Sequence, residues 1–358
     1  IHDGRGVARW PEGHAQASKA VFVSGALPGE TVRVQQTARS KQFDEAKTLE
    51  VLTASPDRVQ PRCPHFGVCA GCVLQHLAED KQIEAKQRVL LENLQRIGHV
   101  TPGSVLPPLR GDSWGYRRKG RLSVRRVEKK DKTLVGFRET DPRFVADLRE
   151  CHTLVPQIGF KLDALGALVD GLDARRDIPQ IEFIAGDAAT VLVFRHLQAL
   201  SDADKTRLAT FGTTHGFSMF LQPGGLDSVH PLTADASALS FHLPQWDIEL
   251  QFRPLDFIQV NAKLNEAMIV RALDLLDVQP GERVLDLFCG LGNFTLPLAR
   301  VAGEGSVVGV EGDAGLVARA RANAQRNGLR NVQFHAADLA QNLAGQPWLK
   351  QGFAKLLL

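Results

Sequence analysis

The stretch VLDLFCGLGNF (residues 284–294) limits the fold more than any other part of this sequence. It is an apolar run that enters a loop with Gly290 and Gly292 and then a helical pattern. A helix is predicted before it, over about residues 262–277, and another after it, over 314–327, and the runs SVVGVEGD, VQFHAADL and FAKLLL read as further strands. Strands that alternate with helices across short connections predict a doubly wound parallel sheet, and therefore an α/β fold.

The glycine loop predicts a nucleotide-type cofactor at the carboxyl end of its strand, where glycines let the backbone approach a ligand closely. Gly290 and Gly292 fit the first two glycines of the dinucleotide fingerprint G-x-G-x-x-G, but the third position is Thr295, which weakens an NAD interpretation. Asp286 precedes the glycines. Cys289 lies inside the loop, where we expect it to pack against its neighbours and not to attack a substrate.

Two more carboxylates follow the next strands. Glu311 ends the strand in SVVGVEGD, where a carboxylate accepts hydrogen bonds from ribose hydroxyls, and Asp338 follows the third strand, in position for an adenine amino group. The three elements D-x-F-x-G-x-G, V-x-G-V-E and A-x-D, in this order, resemble the class I S-adenosylmethionine methyltransferases. The resemblance implies that S-adenosyl-L-methionine is the cofactor.

Composition argues against several classes of protein. The 358 residues contain no apolar run near the ~20 residues of a membrane-spanning helix, and no signal-peptide pattern opens the chain. Five cysteines are few for a disulfide scaffold, so we expect a reducing, cytoplasmic compartment in which clustered cysteines bind metal. Residues 1–150 carry 26 Lys and Arg against 18 Asp and Glu, whereas residues 151–358 carry 17 against 22. The basic front half indicates either a polyanionic partner or a surface that only keeps the chain in solution.

The front half divides into further regions. Residues 1–60 are rich in short alternating strands, which suit a five-stranded barrel of the OB type, either a nucleic-acid binder or a β subdomain without a ligand. A helix is predicted over about residues 73–97, with an apolar stripe that we expect to pack in the core. Residues 100–250 mix strands with helical stretches near 156–171 and 201–211, which predicts a central α+β region.

The basic run YRRKGRLSVRR (residues 116–126) allows two interpretations. As a strand, it places Arg117, Lys119, Arg121 and Arg125 on one face, where they can line phosphates. Alternatively, it is a solvated edge strand whose charges protect it from aggregation. The residues themselves favour neither interpretation.

Three of the cysteines lie in CPHFGVCAGC (residues 63–72) with the spacing C-x5-C-x2-C. A zinc site with His65 or His76 as the fourth ligand is one interpretation, and a radical S-adenosylmethionine cluster, which uses a different cysteine spacing, is another. A disulfide is disfavoured by the expected compartment. Cys151, in LRECHTL, is distant in sequence but can return to the other three. Four cysteines favour a closed iron–sulfur site, with zinc as a close alternative.

The segments FIQVN (residues 257–261) and DLFCGLGNF, together with the cysteines, resemble the RNA (uracil-5-)-methyltransferases over essentially the whole chain. A preceding β-barrel that resembles a TRAM domain indicates the branch of that family that acts on 23S rRNA. The resemblance implies a [4Fe–4S] cluster, with a structural and RNA-orienting role, bound by Cys63, Cys69, Cys72 and Cys151. It also implies that the cofactor contacts are Gln259, Phe288, Asn293, Glu311 and Asp338.

The reaction that this resemblance implies is methylation of uracil C5 in 23S rRNA. In the family a cysteine thiolate adds to uracil C6, the resulting enolate attacks the sulfonium methyl group, and a base removes the C5 proton before the thiolate leaves. The target base has to be splayed out of its RNA fold. The family's nucleophilic cysteine and general base fall after Leu358, and Ile1 stands inside a strand-like pattern. We therefore expect a fragment, cut at both ends, that does not itself transfer methyl groups.

The domains predicted from these patterns are three. We expect a TRAM-like barrel over residues 1–60, a central RNA-binding domain with the cluster over 61–255, and the start of the methyltransferase domain over 256–358. The protein is expected to be a monomer that binds 23S rRNA and no membrane. Two other functions stay open: a non-catalytic RNA-binding iron–sulfur protein with a vestigial cofactor site, and a nucleotide-dependent oxidoreductase that uses the cluster.

Overall fold

The computed structural model describes residues 3–15, 17–234 and 238–358. The expectation that Ile1 stands inside a strand concerns a residue outside these ranges. Across the described ranges, no helix is both long and apolar enough to cross a membrane.

The chain divides into two compact units, each built from two segments. The first unit comprises Ile1–Pro108 and Gly136–His152, and the second comprises Leu109–Val135 and Thr153–Leu358. All four cysteines of the predicted cluster therefore belong to the first unit, and all five predicted cofactor contacts belong to the second.

The first unit contains a sheet built from short alternating sequences. Its strands are β1 (Arg5–Arg9), β2 (Ala20–Ser24), β3 (Thr31–Arg39) and β4 (Phe43–Thr53). They pair in the order β1-β2-β4-β3, with β2 and β4 parallel and the other two pairs antiparallel. Val21, Val23 and Ala46 are buried on one face of this sheet. Up to position 60 the described residues form four strands, one fewer than the sequence predicted.

The helix α1 (Glu79–Arg96) begins later than predicted. Leu74 and Leu77 are buried, but they lie in the turn before α1 and not on the helix itself. Within α1 the one buried residue is Ala85, and Leu90 is 58% exposed. The expectation that the apolar stripe of this helix packs in the core is therefore wrong for most of its length, because the side chains that the core needs come from the turn.

The second unit contains a larger sheet with helices between its strands. The strands are β5 (Lys119–Val127), β6 (Lys132–Gly136), β7 (Gln180–Ala185), β8 (Thr190–Arg195), β9 (Phe217–Gln222) and β10 (His230–Pro231). They pair in the order β10-β9-β8-β7-β5-β6. The helices are α2 (Pro156–Gly159), α3 (Leu162–Asp170) and α4 (Asp202–His215). The two helical stretches that the sequence predicted here are confirmed.

The second half of this unit confirms the predicted helix–strand alternation. After a hairpin the chain forms a parallel sheet in the order β15-β14-β13-β16. The elements are β11 (Leu239–Leu243), β12 (Ile248–Phe252), α5 (Ala262–Leu276), β13 (Arg283–Leu287), α6 (Thr295–Ala302), β14 (Ser306–Glu311), α7 (Ala314–Arg326), β15 (Val332–Ala336) and β16 (Lys355–Leu357). Asn261 and Asp313 cap α5 and α7 by accepting hydrogen bonds from backbone N–H groups, at 3.1 and 2.8 Å. These caps explain why both helices begin where the sequence predicted.

One continuous hydrophobic core supports the parallel sheet. It joins side chains of β7 and β8 to those of the hairpin, α5, β13, α6 and α7, and Ile184, Leu250, Ile269 and Leu296 are fully buried in it. Single 3₁₀ turns complete the described elements at Glu128–Lys130, Leu226–Ser228, Pro244–Trp246 and Pro347–Leu349. Because the core packs against β13, it fixes the strand from which the glycine loop departs.

Candidate functional site

The glycine loop leaves β13 with an abrupt change of backbone direction. Phe288 has φ 60°, and Gly290 and Gly292 have φ 54° and 91°. Glycine adopts this left-handed region without strain, whereas a bulky side chain does so at a cost of about 1–3 kcal/mol. The Phe288 side chain is nevertheless 65% exposed. The fold therefore holds an exposed aromatic ring in a strained conformation beside the loop that is predicted to bind a cofactor.

Asp286 and Thr295 connect the two ends of this loop. Asp286 is 2% exposed, and its carboxylate accepts a 2.5 Å hydrogen bond from the hydroxyl of Thr295, which is fully buried at the start of α6. Burial raises the pKa of Asp286 to about 7. Thr295, which the sequence singled out only as a mismatch to the dinucleotide fingerprint, thus supplies the partner of a buried carboxyl group.

Cys289 lies within the loop but is closed off from solvent. It is buried, and a Cβ atom added at Gly309 on β14 would come within 3.0 Å of its sulfur. Burial raises the pKa of the Cys289 thiol, so the reactive thiolate is disfavoured. The structure agrees with a packing role for this cysteine.

Glu311 links the end of β14 to the glycine loop. Its two carboxylate oxygens accept backbone hydrogen bonds, one from the N–H of Gly290 and the other from the N–H of Asp313, each at 3.1 Å. Each oxygen of a carboxylate has a further lone pair, so both can accept additional donors. This geometry leaves acceptor capacity for the hydroxyls of a ribose at the carboxyl edge of the sheet.

Asp338 lies beside the same edge, after β15. The backbone N–H of Ala337 donates to the carbonyl of Glu311 at 3.0 Å, which holds the ends of β14 and β15 together. The exposed Asp338 carboxylate accepts from the backbone N–H of Ala340 at 2.9 Å and from the Gln341 side chain at 3.3 Å. Asp338 therefore follows the third strand of the parallel sheet, as the sequence predicted.

Asn293 is fixed by a residue that the sequence reasoning missed. The side-chain amides of Asn293 and Asn265 form a reciprocal pair, with N···O distances of 2.9 and 2.8 Å. Asn265 lies on α5 and is 2% exposed. The available signal was a polar residue on the apolar face of a predicted helix, since a buried amide needs a partner.

Gln259 lies in the segment Asp256–Asn261, here called the 256–261 loop, which joins β12 to α5. Its backbone carbonyl accepts a 2.9 Å hydrogen bond from Nε of Arg118, and the carbonyl of Val260 accepts one from the backbone N–H of Arg118 at 3.0 Å. The structure therefore ties Gln259 to Arg118, the residue before β5, whereas Phe288, Asn293, Glu311 and Asp338 lie along the carboxyl edge of the parallel sheet. The loop is continuous with α5, which carries Asn265.

The basic run forms β5, and it does not lie at a sheet edge. β5 pairs with β7 on one side and lies beside β6 on the other, so the edge-strand interpretation is wrong. Arg121 and Arg125 are exposed on one face, and Arg121 makes a 2.9 Å ion pair with Glu182. Arg118, on the opposite face, is buried. The run therefore divides into an outward basic face and a cation directed into the protein.

The four clustered cysteines come together within the first unit. Burial raises the pKa of the Cys69 thiol to about 11, and the charges of Cys72, Cys151 and Cys63 act in the same direction, which places all four within electrostatic range. Burial likewise raises the pKa of Cys63. All four are half-buried and form no disulfide. The charge of Cys151 thus acts on the thiols of Cys63 and Cys69, which agrees with the return of Cys151 that the sequence allowed.

Backbone contacts bring the two cysteine segments together. The N–H of Arg149 donates to Nε2 of His65 at 3.2 Å, and the N–H of Ala70 donates to the carbonyl of Arg138 at 3.0 Å. The N–H of Gly71 donates to the sulfur of Cys69 at 3.3 Å. The first two bonds hold residues 63–72 against the segment that ends in Cys151, and the third lies within residues 63–72.

The two histidines of the zinc interpretation differ: His65 has a hydrogen-bond partner, whereas neither ring nitrogen of His76 has one among the described residues. Nε2 of His65 accepts the bond from Arg149, and His76 is buried with its ring 5.2 Å from that of Phe66. Among the residues that the structure describes, no group of three or more His, Cys, Asp or Glu side chains is spaced to hold a metal ion. This finding includes the four cysteines.

Comparisons with known proteins give a consistent result. A family model described as a methyltransferase domain matches residues 279–356. The chain is 69% identical over 357 residues to the 23S rRNA (uracil(1939)-C(5))-methyltransferase RlmD of Xanthomonas euvesicatoria pv. vesicatoria, and the match covers 100% of this chain and 79% of the relative. RlmD of Stenotrophomonas maltophilia strain R551-3 matches with the same identity and coverage.

A solved structure shares the fold. The tRNA (uracil-54, C5)-methyltransferase of Pyrococcus abyssi, in complex with S-adenosyl-L-homocysteine, superposes with a TM-score of 0.69. The superposition covers 99% of this chain and 83% of that chain, at 20% sequence identity. At this identity the likeness concerns the fold alone.

Proposed function

Because the chain belongs to the RlmD family of 23S rRNA (uracil-C5)-methyltransferases, we propose that it takes part in S-adenosylmethionine-dependent methylation of a uracil at C5 in 23S rRNA. The observation that carries this proposal is the 69% identity to RlmD over 100% of the chain. The methyltransferase-domain match and the strand-end geometry support it. A non-catalytic iron–sulfur protein and an oxidoreductase have no comparable support.

The cofactor is proposed to lie along the carboxyl edge of the parallel sheet, where it supplies an electrophilic methyl group on a sulfonium sulfur. Glu311 accepts hydrogen bonds from the ribose hydroxyls with the lone pairs that its backbone bonds leave, and Asp338 accepts from the adenine amino group. Phe288 covers the cofactor with its exposed ring. Asn293 and Gln259 complete the contacts, the former oriented by Asn265.

The methyl transfer is proposed to be covalent. A cysteine thiolate forms a bond to uracil C6, and the C5 carbon so activated takes the methyl group as its bond to sulfur breaks. A base then removes the C5 proton, and the thiolate leaves. Cys289, buried with a raised thiol pKa, does not suit the role of this nucleophile.

A [4Fe–4S] cluster is proposed at Cys63, Cys69, Cys72 and Cys151. The chemistry of the donor set fits it, because four thiols of one unit come within electrostatic range and the Gly71 N–H donates to one sulfur, as is common around such clusters. A mononuclear zinc site would need all four sulfurs about 2.3 Å from one point. We assign the cluster a structural role that also orients RNA.

The remaining domains are proposed to bind the RNA. Residues 1–60 serve as a TRAM-like barrel, residues 61–255 as the central RNA-binding domain, and residues 256–358 begin the methyltransferase domain. Arg121 and Arg125 supply exposed positive charge on β5 for RNA phosphates. The protein is proposed to act as a monomer.

The test is methyl transfer from isotope-labelled S-adenosylmethionine to 23S rRNA by the complete gene product, with 5-methyluridine identified by mass spectrometry. We expect one modified uridine per rRNA. A protein that binds the rRNA but transfers no methyl group would contradict the proposal and favour the non-catalytic alternative. Binding of NADPH without measurable binding of S-adenosylmethionine would favour an oxidoreductase. Trapping on 5-fluorouridine RNA tests the covalent step separately.

A further inference from the structure

Arg118 is an unusual residue in the second unit, because it is a buried cation. It is 5% exposed, and its guanidinium lies 4.6 Å from the centre of the Phe241 ring. Burial lowers its pKa, although the carboxylates of Asp187 and Glu266 favour its charged form. Within the described residues its Nη2 atom has no hydrogen-bond partner. Burying a guanidinium in this way is costly, and an apolar side chain would fill the same space without that cost.

Within the described residues, the hydrogen bonds that Arg118 donates go to the 256–261 loop, and its own carbonyl accepts one from the backbone N–H of Ala185 at 2.7 Å. Its Nε donates to the carbonyl of Gln259 at 2.9 Å, and its backbone N–H donates to the carbonyl of Val260 at 3.0 Å. The next residue, Lys119, donates from Nζ to the carbonyl of Asp256. Arg118, which precedes β5, and Lys119, the first residue of β5, therefore hold three carbonyl groups of a segment that is neither helix nor strand.

The other end of the loop is held independently. The Asp256 carboxylate accepts from Nη2 of Arg319 at 2.6 Å and from the backbone N–H of Arg253 at 2.7 Å. Asn261 at the far end caps α5. Between these anchors, Gln259 is held through its backbone by Arg118, whose orientation is set by its stacking on Phe241.

We propose that Arg118 is a positioning residue for the cofactor site: it fixes the backbone of Gln259 so that the Gln259 side chain can contact S-adenosylmethionine. This inference rests on the proposed function, because the role of Gln259 does. It also reassigns part of the basic run, since Arg118 and Lys119 serve the 256–261 loop while the outward face of β5 stays available to RNA. A charge-assisted hydrogen bond, unlike packing alone, defines where a carbonyl must lie.

The test measures binding of S-adenosyl-L-homocysteine to the whole protein by calorimetry in the absence of RNA. Arg118→Met keeps the length and the contact with Phe241 but removes the donors, and we expect about tenfold weaker binding. Arg118→Lys restores one donor and is expected to bind within about threefold of the parent. Arg195→Met, an exposed arginine of the same sheet, is the matched control and is expected to bind as the parent does.

A double-mutant cycle separates positioning from a general structural effect. If Arg118 acts through Gln259, adding Arg118→Met to Gln259→Ala weakens binding by less than about twofold, because the contact is already lost. Multiplicative losses, or parent affinity in Arg118→Met, would overturn the proposal. If circular dichroism shows that Arg118→Met does not fold, Lys119→Met is the second variant. We expect it to bind S-adenosyl-L-homocysteine about threefold more weakly, and unchanged binding would contradict the proposal. If the unsubstituted protein binds S-adenosyl-L-homocysteine but does not methylate rRNA, only the proposed function is overturned. If it does not bind S-adenosyl-L-homocysteine, the proposed function and the role of Arg118 are both overturned.

Discussion

The two units of this protein hold their candidate sites by different means. In the second unit the strand ends that carry Glu311 and Asp338 are backed by one continuous apolar core, which includes fully buried residues such as Ile269 and Leu296. In the first unit the buried apolar clusters are small, and α1 buries Ala85 alone. The buried apolar residues described in this unit outside α1 are Val21, Val23, Ala26 and Ala46 in and beside the sheet, Leu27, Leu74 and Leu77 near the turn before α1, and Val145, Ala146 and Leu148 in the segment before Cys151.

This difference indicates what stabilises each site. A large core positions the carboxyl edge of the parallel sheet before any ligand is bound, because close-packed side chains leave the backbone little freedom. A unit with little buried apolar area needs another source of stability, and a metal centre is a common one. We therefore expect the second unit to be folded without its cofactor and the first to depend on its cysteine site.

Replacing one cysteine should have the largest effect on the first unit. If it has no effect on that unit, the first unit does not depend on its cysteine site. We expect Cys151→Ala to lose the cluster iron completely and to make the first unit protease-sensitive, while the second unit keeps its fold. Iron and sulfide analysis of protein purified without oxygen, together with limited proteolysis, measures this. The buried Cys289 is the matched control, and Cys289→Ala should keep its iron. Undiminished iron in Cys151→Ala would contradict the proposed ligand set.

A substitution at the cofactor edge should leave the first unit untouched. We expect Glu311→Gln to weaken binding of S-adenosyl-L-homocysteine by about 10- to 100-fold, the effect of losing hydrogen bonds to a charged acceptor. Glu304→Gln, at an exposed position of the same unit, is the control. Calorimetric titration measures both, and equal affinities for the two variants would remove Glu311 from the site.

The buried Asp286 predicts a pH dependence confined to the second unit. Its pKa is about 7 in the folded protein against 3.8 for an unperturbed group, so the folded state binds the proton more tightly than the unfolded state does. Its contribution to stability is therefore fully present below pH ~4 and is lost as the pH rises to ~7, by about 2–3 kcal/mol between pH 5 and 7. Asp286→Asn should remove this part of the fall in urea denaturation midpoints. An unchanged pH profile would show that the carboxyl group is ionised in the fold.

The same substitution in one helix of each unit tests the difference in burial between the two units directly. Leu273→Ala in α5 removes a side chain that is 8% exposed and should cost about 2–5 kcal/mol of unfolding free energy. Leu90→Ala in α1 removes one that is 58% exposed and should cost less than about 0.5 kcal/mol. Urea denaturation followed by circular dichroism measures both. Similar costs would mean that α1 is buried in solution.

The elements predicted best are those whose signals are local. The bounds of α5 and α7 come within one residue of the prediction because Asn261 and Asp313 cap them through neighbouring N–H groups. The start of α1 was wrong because Leu74 and Leu77 have helical spacing but are buried from a turn. Periodicity reports which residues are buried, and it does not report which secondary structure buries them.

The candidate site was predictable to a similar degree. Residues at strand ends, such as Glu311 and Asp338, follow from the alternation of strands and helices, because the carboxyl ends of parallel strands share one edge. Asn265 and Thr295 were missed, since their roles depend on a side chain that each meets only in the fold. The alternation placed Arg117, Lys119, Arg121 and Arg125 on one face of the basic run, but it gave no role to Arg118 on the opposite face, which the fold buries.

The parallel α/β architecture, the glycine loop, the carboxylates that follow the parallel strands and the set of cysteines could all be read from the sequence. Each of these features depends on residue type at short spacing. Only the tertiary structure decided that Cys151 returns to residues 63–72, and that Arg118 bonds to a carbonyl 141 residues away. The physical reason is that backbone preferences and caps act between neighbours, whereas the partner of a buried cation or thiol is selected by packing across the whole chain.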